Sequence, residues 1–391
     1  MAVHPAAWQI PPGVRDILPP EAFSRRRLEE KLASLFLSWG YREIIPPSLE
    51  YYEQLKGSSP EEKLYKLIDP SGRILALRPD LTTPIARMVA AHLREEPLPI
   101  RLFYFGNAFR YEAQVGVRQR EFYQGGVELI GAAGTGADAE MLALAVEALR
   151  QAGLTEFQVG IGHVALTDSF LENAGVAPEL RLEIKSLIAR KDFVGLETRM
   201  GALGLNDSLG REVKSILALR GGREVLQKAR SLARIPAMVE AIEQLEEVYR
   251  SLDALGLAAH VFFDFSLLRD LEYYTGIVFE GYAAGLGYPV GGGGRYDRLL
   301  GQFGWAVPAI GFAFGMERLM QAAPQSQEKP IDALVVGGAL PERFKEAERL
   351  RQQGLRVEID VLGRTPAEAE MYAAQRLIPR VVAIPEVRDD G

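Results

Sequence analysis

Residues 110–131 read RYEAQVGVRQREFYQGGVELIG. From Arg120 onward the run has strand character, and a period of two places Phe122, Gln124, Gly126, Glu128 and Ile130 on one face. At a strand rise of ~3.3 Å per residue, Gln124 and Glu128 stand roughly 13 Å apart. Side chains leaning inward over the space left by Gly126 would bracket a ligand the size of one amino acid. Glutamine offers a donor and an acceptor, whereas ionised glutamate only accepts. The face therefore suits a polar ligand with a donor at one end, such as an imidazole N–H. The same alternation also describes the solvated side of an ordinary antiparallel sheet. The preceding run RLFYFGNAFRYE (101–112) is equally aromatic, and the loop-like AQVGVRQ between the two predicts an antiparallel pair.

Arg110, Arg118 and Arg120 surround this hairpin. Arginine pairs carboxylates and phosphates bidentately, so these side chains either orient an anion over the sheet or form a solvated basic tip, the reading favoured for Arg120. Further along, LRDLEYYTG (268–276) sets Arg269 beside two acids and two tyrosines. Tyr273 and Tyr274 face opposite ways if this stretch is extended, so both line one pocket only if it is a loop. PVGGGGRYD (289–297) resembles a phosphate cradle but lacks the Gly-Lys-Ser/Thr ending of a P-loop. Close packing between strands accounts for its glycines equally well. The four histidines, His4, His92, His163 and His260, are scattered, so neither a metal nor a cofactor is expected.

The bulk numbers agree with an ordinary globular protein. There are 391 residues, 48% hydrophobic and 25% charged, which suggests two or three domains. With no cysteine, disulfides, thiolate metal sites and cysteine nucleophiles are excluded together. No apolar run approaches the ~18 residues that span a bilayer, and MAVHPAAWQIPPG lacks the order of a signal peptide. A cytoplasmic chain with no membrane partner is expected. Net charge is −7 and every cluster of Lys and Arg is interleaved with acids, which disfavours a nucleic-acid partner.

Patterning divides the chain. SRRRLEEKLASLFLSW (24–39) places Leu28, Leu32, Leu35, Phe36 and Trp39 on one helical stripe closed by Gly40, packed on its own sheet or on a second subunit. Pro46 and Pro47 confine the next stretch to an extended edge. RILALR (73–78) reads as a strand, and 81–94 as a helix with Asp80 at its N-cap. From 164 to 257 the patterns are helical throughout; strands resume with HVFFDFSLL (260–268). After the polar linker PQSQEKP (324–330), strand and helix patterns alternate as a small parallel α/β unit. The expected organisation is α+β: a sheet domain in two parts, 1–163 and 258–323, an all-helical insertion, 164–257, and a C-terminal α/β domain, 331–391.

Taken in order, PPGVRDILPPEA (11–22), FGNAFRYE (105–112), REFYQGGVELIG (120–131), YYTGIVFE (273–280), GGGGRYD (291–297) and AIGFAFGMERL (309–319) resemble the histidyl-tRNA synthetases and their paralogues. The resemblance implies a class II aminoacyl-tRNA synthetase-like fold, an antiparallel sheet flanked by helices. It implies that Glu128 and Tyr274 hold the imidazole of histidine, that Gln124 and Thr82 lie near its amino group, and that Arg269 meets its carboxylate. Asp80, Arg110 and Tyr273 complete the implied histidine-binding set. Arg110 and Arg318 match arginines that contact ATP phosphates; Arg118 and Arg318 are expected as vestigial nucleotide-facing residues.

The departures bear on function. Synthetases of this family read RPEGT where this sequence reads RPDLT (78–82), and RGLDYYT where it reads RDLEYYT (269–275). Leu81 puts a branched side chain where glycine allows close approach, and Asp80 is one methylene shorter than glutamate. Asp270 adds negative charge near the place of an anionic adenylate, the reverse of transition-state stabilisation. The C-terminal unit is shorter than the synthetases' anticodon-binding domain. Its open sheet edge is expected to dock on the body or on a partner instead of gripping tRNA. These features are similar to the regulatory subunits of ATP phosphoribosyltransferase, which lack catalysis of their own. That resemblance implies a short-form catalytic subunit as partner, a self-dimer within a hetero-octamer, histidine as allosteric ligand, and no tRNA. The alternatives are an active histidyl-tRNA synthetase and a histidine-binding paralogue with another partner.

Overall fold

The computed structural model describes residues 8–56, 59–111, 119–173, 175–202, 215–233, 235–268, 273–324 and 330–385. It separates into two compact units, Met1–Gln325 and Ser326–Gly391, with the boundary inside the polar linker. Among the described residues, no helix is long and apolar enough to cross a membrane.

In the first unit the strands are β1 (Arg42–Glu43), β2 (Leu49–Tyr51), β3 (Lys66–Ile68), β4 (Ile74–Leu77), β5 (Ile100–Phe109), β6 (Glu121–Ile130), β7 (Phe157–His163), β8 (Arg220–Gly221), β9 (Val261–Asp264), β10 (Ile277–Ala283), β11 (Gly291–Arg295) and β12 (Ala309–Gly315). Nine of them form one sheet in the order β1-β5-β6-β12-β11-β10-β7-β9-β8, and β2-β4-β3 form a small second sheet. The expected hairpin is present: β5 and β6 pair antiparallel, with Leu102 opposite Glu128 and Tyr104 opposite Gly126. The large sheet is mixed rather than wholly antiparallel, since β1 runs parallel to β5 and β9 parallel to β7. Both edge strands, β1 and β8, are two residues long.

The period of two gives the large sheet two faces. On one, Phe103, Val127 and Leu129 join Leu28, Leu32 and Phe36 of α1 (Pro19–Ser38), with the Phe36 ring 5.7 Å from that of Phe103. The stripe read in the sequence thus packs on its own sheet. On the other, Leu102, Tyr104 and Ile130 meet Ile85 and Val89 of α2 (Thr82–His92), together with Tyr273 and Tyr296. Helix α2 begins one residue later than expected. Leu81 holds the cap position, although the Asp80 carboxylate still accepts from the Thr83 N–H at 2.9 Å. The glycines of β11 serve strand packing, because a Cβ at Gly293 would collide with the Gly311 carbonyl of β12.

Helix α3 (Thr135–Gln151) follows β6 and covers the first face. The segment after β7 contains α4 (Val164–Asn173), α5 (Pro178–Ala189), α6 (Phe193–Ala202), α7 (Glu224–Leu232) and α8 (Pro236–Ala254). Its apolar residues, Phe170, Ile184 and Ile242 among them, continue the first core without a break. It is not all helical: Arg220–Gly221 pairs with Phe263–Asp264, a ladder too short to leave a periodic signal. His163 ties β7 to α8 through Gln244 at 3.1 Å and accepts from the Ala165 N–H; burial pushes its pKa down to about 4. Helix α9 (Met316–Ala322) follows β12 directly.

The second unit alternates β13 (Ala333–Gly337), α10 (Leu340–Gln352), β14 (Val357–Ile359), α11 (Pro366–Gln375) and β15 (Val381–Ile384), with parallel strands ordered β14-β13-β15. Thr365 caps α11 in a capping box with Glu368.

A buried ion pair joins the end of β11 to the start of α3. The Arg295 guanidinium meets Asp138 at 2.7 Å and also donates to the carbonyls of Ala132 and Gly134. Removing one partner of such a pair strands the other in low dielectric. Asp138→Ala is therefore expected to cost about 3–5 kcal/mol in urea unfolding. A change within error would mean that Asp297, 3.1 Å from the same guanidinium, and the two carbonyls suffice for Arg295.

Candidate ligand-binding site

Glu128 lies at the centre of the second face of the sheet and is 1% exposed. Three hydroxyls from three elements converge on it. Thr82, the first residue of α2, donates to Oε1 at 2.9 Å, and Tyr296, just past β11, donates to Oε2. Tyr104 of β5 also reaches the carboxyl. Space for Oε2 exists because β12 carries glycine at 311, where any Cβ would strike the carboxyl. Burial pushes the Glu128 pKa up to about 7, with nearby Asp80 adding to the rise, while the hydroxyl donors pull against it.

Around this centre lie acceptors without donors. Asp80 is 4% exposed; its Oδ1 takes the Thr83 amide, and its Oδ2 has no partner among the described residues. Burial raises its pKa, and the Arg110 charge opposes that rise. Gln124 Oε1 is likewise buried and unpartnered among the described residues. Unsatisfied buried acceptors are rare, and one carboxylate oxygen and one amide oxygen on the face of the Glu128 carboxyl suit a ligand rich in N–H donors or positive charge. Gly126 does not leave open space as expected: the Tyr104 hydroxyl stands 2.6 Å from where its Cβ would be. Leu81 is fully buried and packs over Gly106, the cross-strand neighbour of Gln124. The leucine therefore occupies volume on the ligand face.

The remaining expected residues divide. Tyr273 and Tyr274 do lie on one side, with ring centroids 4.8 Å apart and Tyr273 5.6 Å from Tyr296. Tyr273 stands in a turn and Tyr274 outside any strand, which resolves the opposition that alternation would impose. Arg110 donates to the Pro79 carbonyl at 2.8 Å, and its guanidinium lies over the Phe122 ring. Exposed Arg318 of α9 donates to the Pro289 carbonyl at 3.0 Å and lies over Tyr288. Arg118, Arg269 and Asp270 are outside the described residues. Tyr104 and Tyr296 were missing from the expected set. In the structure Tyr104 faces Gly126 across the ladder, and Tyr296 follows the β11 glycines. Among the described residues, no cluster of His, Asp or Glu is arranged to hold a metal.

The Glu128 proton makes stability depend on pH. The folded protein keeps that proton up to about 7, whereas the unfolded chain releases it near the ordinary value of 4.5. The native state thus binds more protons between these values, and stability falls as pH rises through that window. Glu128→Gln should flatten this dependence, raising the unfolding midpoint more at pH 8 than at pH 5. Equal shifts at both pH values would show that Glu128 titrates normally.

Comparison with known proteins follows the same lines. The histidyl-tRNA synthetase family model matches residues 13–319. The ATP phosphoribosyltransferase regulatory subunit of Moorella thermoacetica is 46% identical over 373 residues, covering 94% of this chain and 96% of that one. The regulatory subunit of Symbiobacterium thermophilum is 42% identical, with 96% of each chain covered. A solved structure described as an ATP phosphoribosyltransferase regulatory subunit/histidyl-tRNA synthetase from Bacillus halodurans superposes with a TM-score of 0.87 at 33% identity, covering 97% of this chain and 99% of that one. A histidyl-tRNA synthetase from Nostoc shares the fold, with a TM-score of 0.81 at 23% identity and coverage of 97% and 92%. The architecture is the class II aminoacyl-tRNA synthetase-like α+β fold, and the chain belongs to the ATP phosphoribosyltransferase regulatory subunits.

Proposed function

We propose that this chain is the non-catalytic, histidine-sensing subunit of a cytoplasmic ATP phosphoribosyltransferase. It activates a short-form catalytic subunit within a hetero-octamer and relays feedback inhibition of the first step of histidine biosynthesis. The observation that carries this reading is the pair of orphaned acceptors, Asp80 Oδ2 and Gln124 Oε1, on the same face as the Glu128 carboxyl. Free histidine brings an ammonium group and an imidazole N–H on one small skeleton. The ammonium supplies donors to the orphaned oxygens, the imidazole donates to Glu128, and Tyr273 and Tyr274 wall the ring. Leu81, packed beside Gln124, supports loss of the synthetase reaction, since it takes volume on the face where amino acid and nucleotide would meet.

Regulation then follows from linkage. Histidine shifts the assembly toward an inhibited state only by its difference in affinity between two states. The chain titrated with histidine in a calorimeter should bind it, and mixing with a short-form catalytic subunit should raise phosphoribosyl transfer. Glu128→Ala should abolish histidine binding while the complex still assembles; normal affinity in that variant would place the pocket elsewhere. Histidine-dependent ATP–pyrophosphate exchange by the isolated chain would overturn the regulatory reading in favour of an active synthetase.

A further inference from the structure

Strands β10 and β11 pair antiparallel, with Val278 opposite Gly294. Continued beyond β10, that register would set Thr275 opposite Asp297. The chain leaves the ladder first. The Thr275 N–H donates to the Arg295 carbonyl at 2.8 Å, and the Asp297 N–H donates to the Thr275 hydroxyl at 3.1 Å instead of to a carbonyl. The same hydroxyl donates to the Arg295 carbonyl at 3.4 Å. One side-chain oxygen is thus bonded to the residue before Tyr296 and to the residue after it.

Two sides of the ligand site meet at this point. On one side Tyr296 donates its hydroxyl to Glu128. On the other are Tyr273, its ring 5.6 Å from that of Tyr296, and Tyr274, the immediate neighbour of Thr275. The Tyr274 ring lies against Gly294, where an added Cβ would stand 2.8 Å from it. Gly294 is in turn the cross-strand partner of Gly311, the glycine that admits the Glu128 carboxyl. The Tyr296 side has a firm base. Its N–H donates to the Ala309 carbonyl at 2.8 Å, and the Asp297 carboxylate accepts from Arg295 and from the Ala309 N–H, both at 3.1 Å.

We propose that Thr275 is a positioning residue: its hydroxyl latches the Tyr273–Tyr274 pair to the backbone on either side of Tyr296 and so sets the width of the gap that the ligand ring enters. The proposal rests on reading that site as the histidine pocket. The hydroxyl touches no ligand; it acts through the tyrosines beside it.

Two variants separate a latch from simple packing. Thr275→Val keeps the branched shape and deletes the hydroxyl, whereas Thr275→Ser keeps the hydroxyl and deletes the methyl. In the unliganded protein Thr275→Val should quicken amide exchange at Thr275 and Asp297 about fivefold, with the β5 and β6 amides unchanged. Histidine, followed by calorimetry, should bind it about fivefold more weakly. Thr275→Ser should restore both readouts. The reverse order, with normal binding in Thr275→Val and weak binding in Thr275→Ser, overturns the latch in favour of packing by the methyl. Unchanged exchange at Asp297 in Thr275→Val overturns the latch whether or not histidine binds. Unchanged affinity in Thr275→Val, with the unaltered chain binding histidine, overturns the positioning role and leaves the proposed function standing. Failure of the unaltered chain to bind histidine overturns the histidine reading alone, and exchange at Asp297 still decides the latch.

Discussion

A carboxyl buried at the centre of a sheet face dictates much of what surrounds it. Ionised Glu128 in low dielectric would cost several kcal/mol without compensation. The fold answers with hydroxyls from the first turn of α2, from β5 and from the residue after β11, and the burial keeps the group protonated up to about 7. Those donors lie far apart in sequence. Their convergence requires that α2 start where it does, that β5 and β6 hold their register, and that β12 carry glycine opposite the carboxyl. The acidic neighbour Asp80 raises the cost further.

Much of the fold was legible in the sequence because its elements are long and strongly periodic. The β5–β6 hairpin, the α1 stripe and the alternating C-terminal unit all follow from patterns of two or 3.6 residues. Two-residue strands escaped, since Arg42–Glu43 and Arg220–Gly221 carry no period at all. Parallel pairing of β1 on β5 and β9 on β7 escaped for another reason: direction depends on connections, not on local composition.

The candidate site was legible in part. Alternation alone placed Gln124 and Glu128 on one face, and resemblance supplied Asp80 and Thr82. Tyr104 and Tyr296 were not found, because a buried tyrosine reads as core until its hydroxyl is seen to have a carboxyl to meet. The space credited to Gly126 was wrong in detail, since the glycine makes room for a protein hydroxyl. Likewise, the tyrosine pair shares one side because neither residue lies in a strand, where alternation would separate them.

The large sheet ends on both sides in strands of two residues, β1 and β8. An exposed edge ordinarily invites a foreign strand to continue the ladder, whether productively or as the seed of an aggregate. Here an incoming strand would find almost no main chain to read at either border. Short borders of this kind blunt the open ladder that an edge otherwise presents.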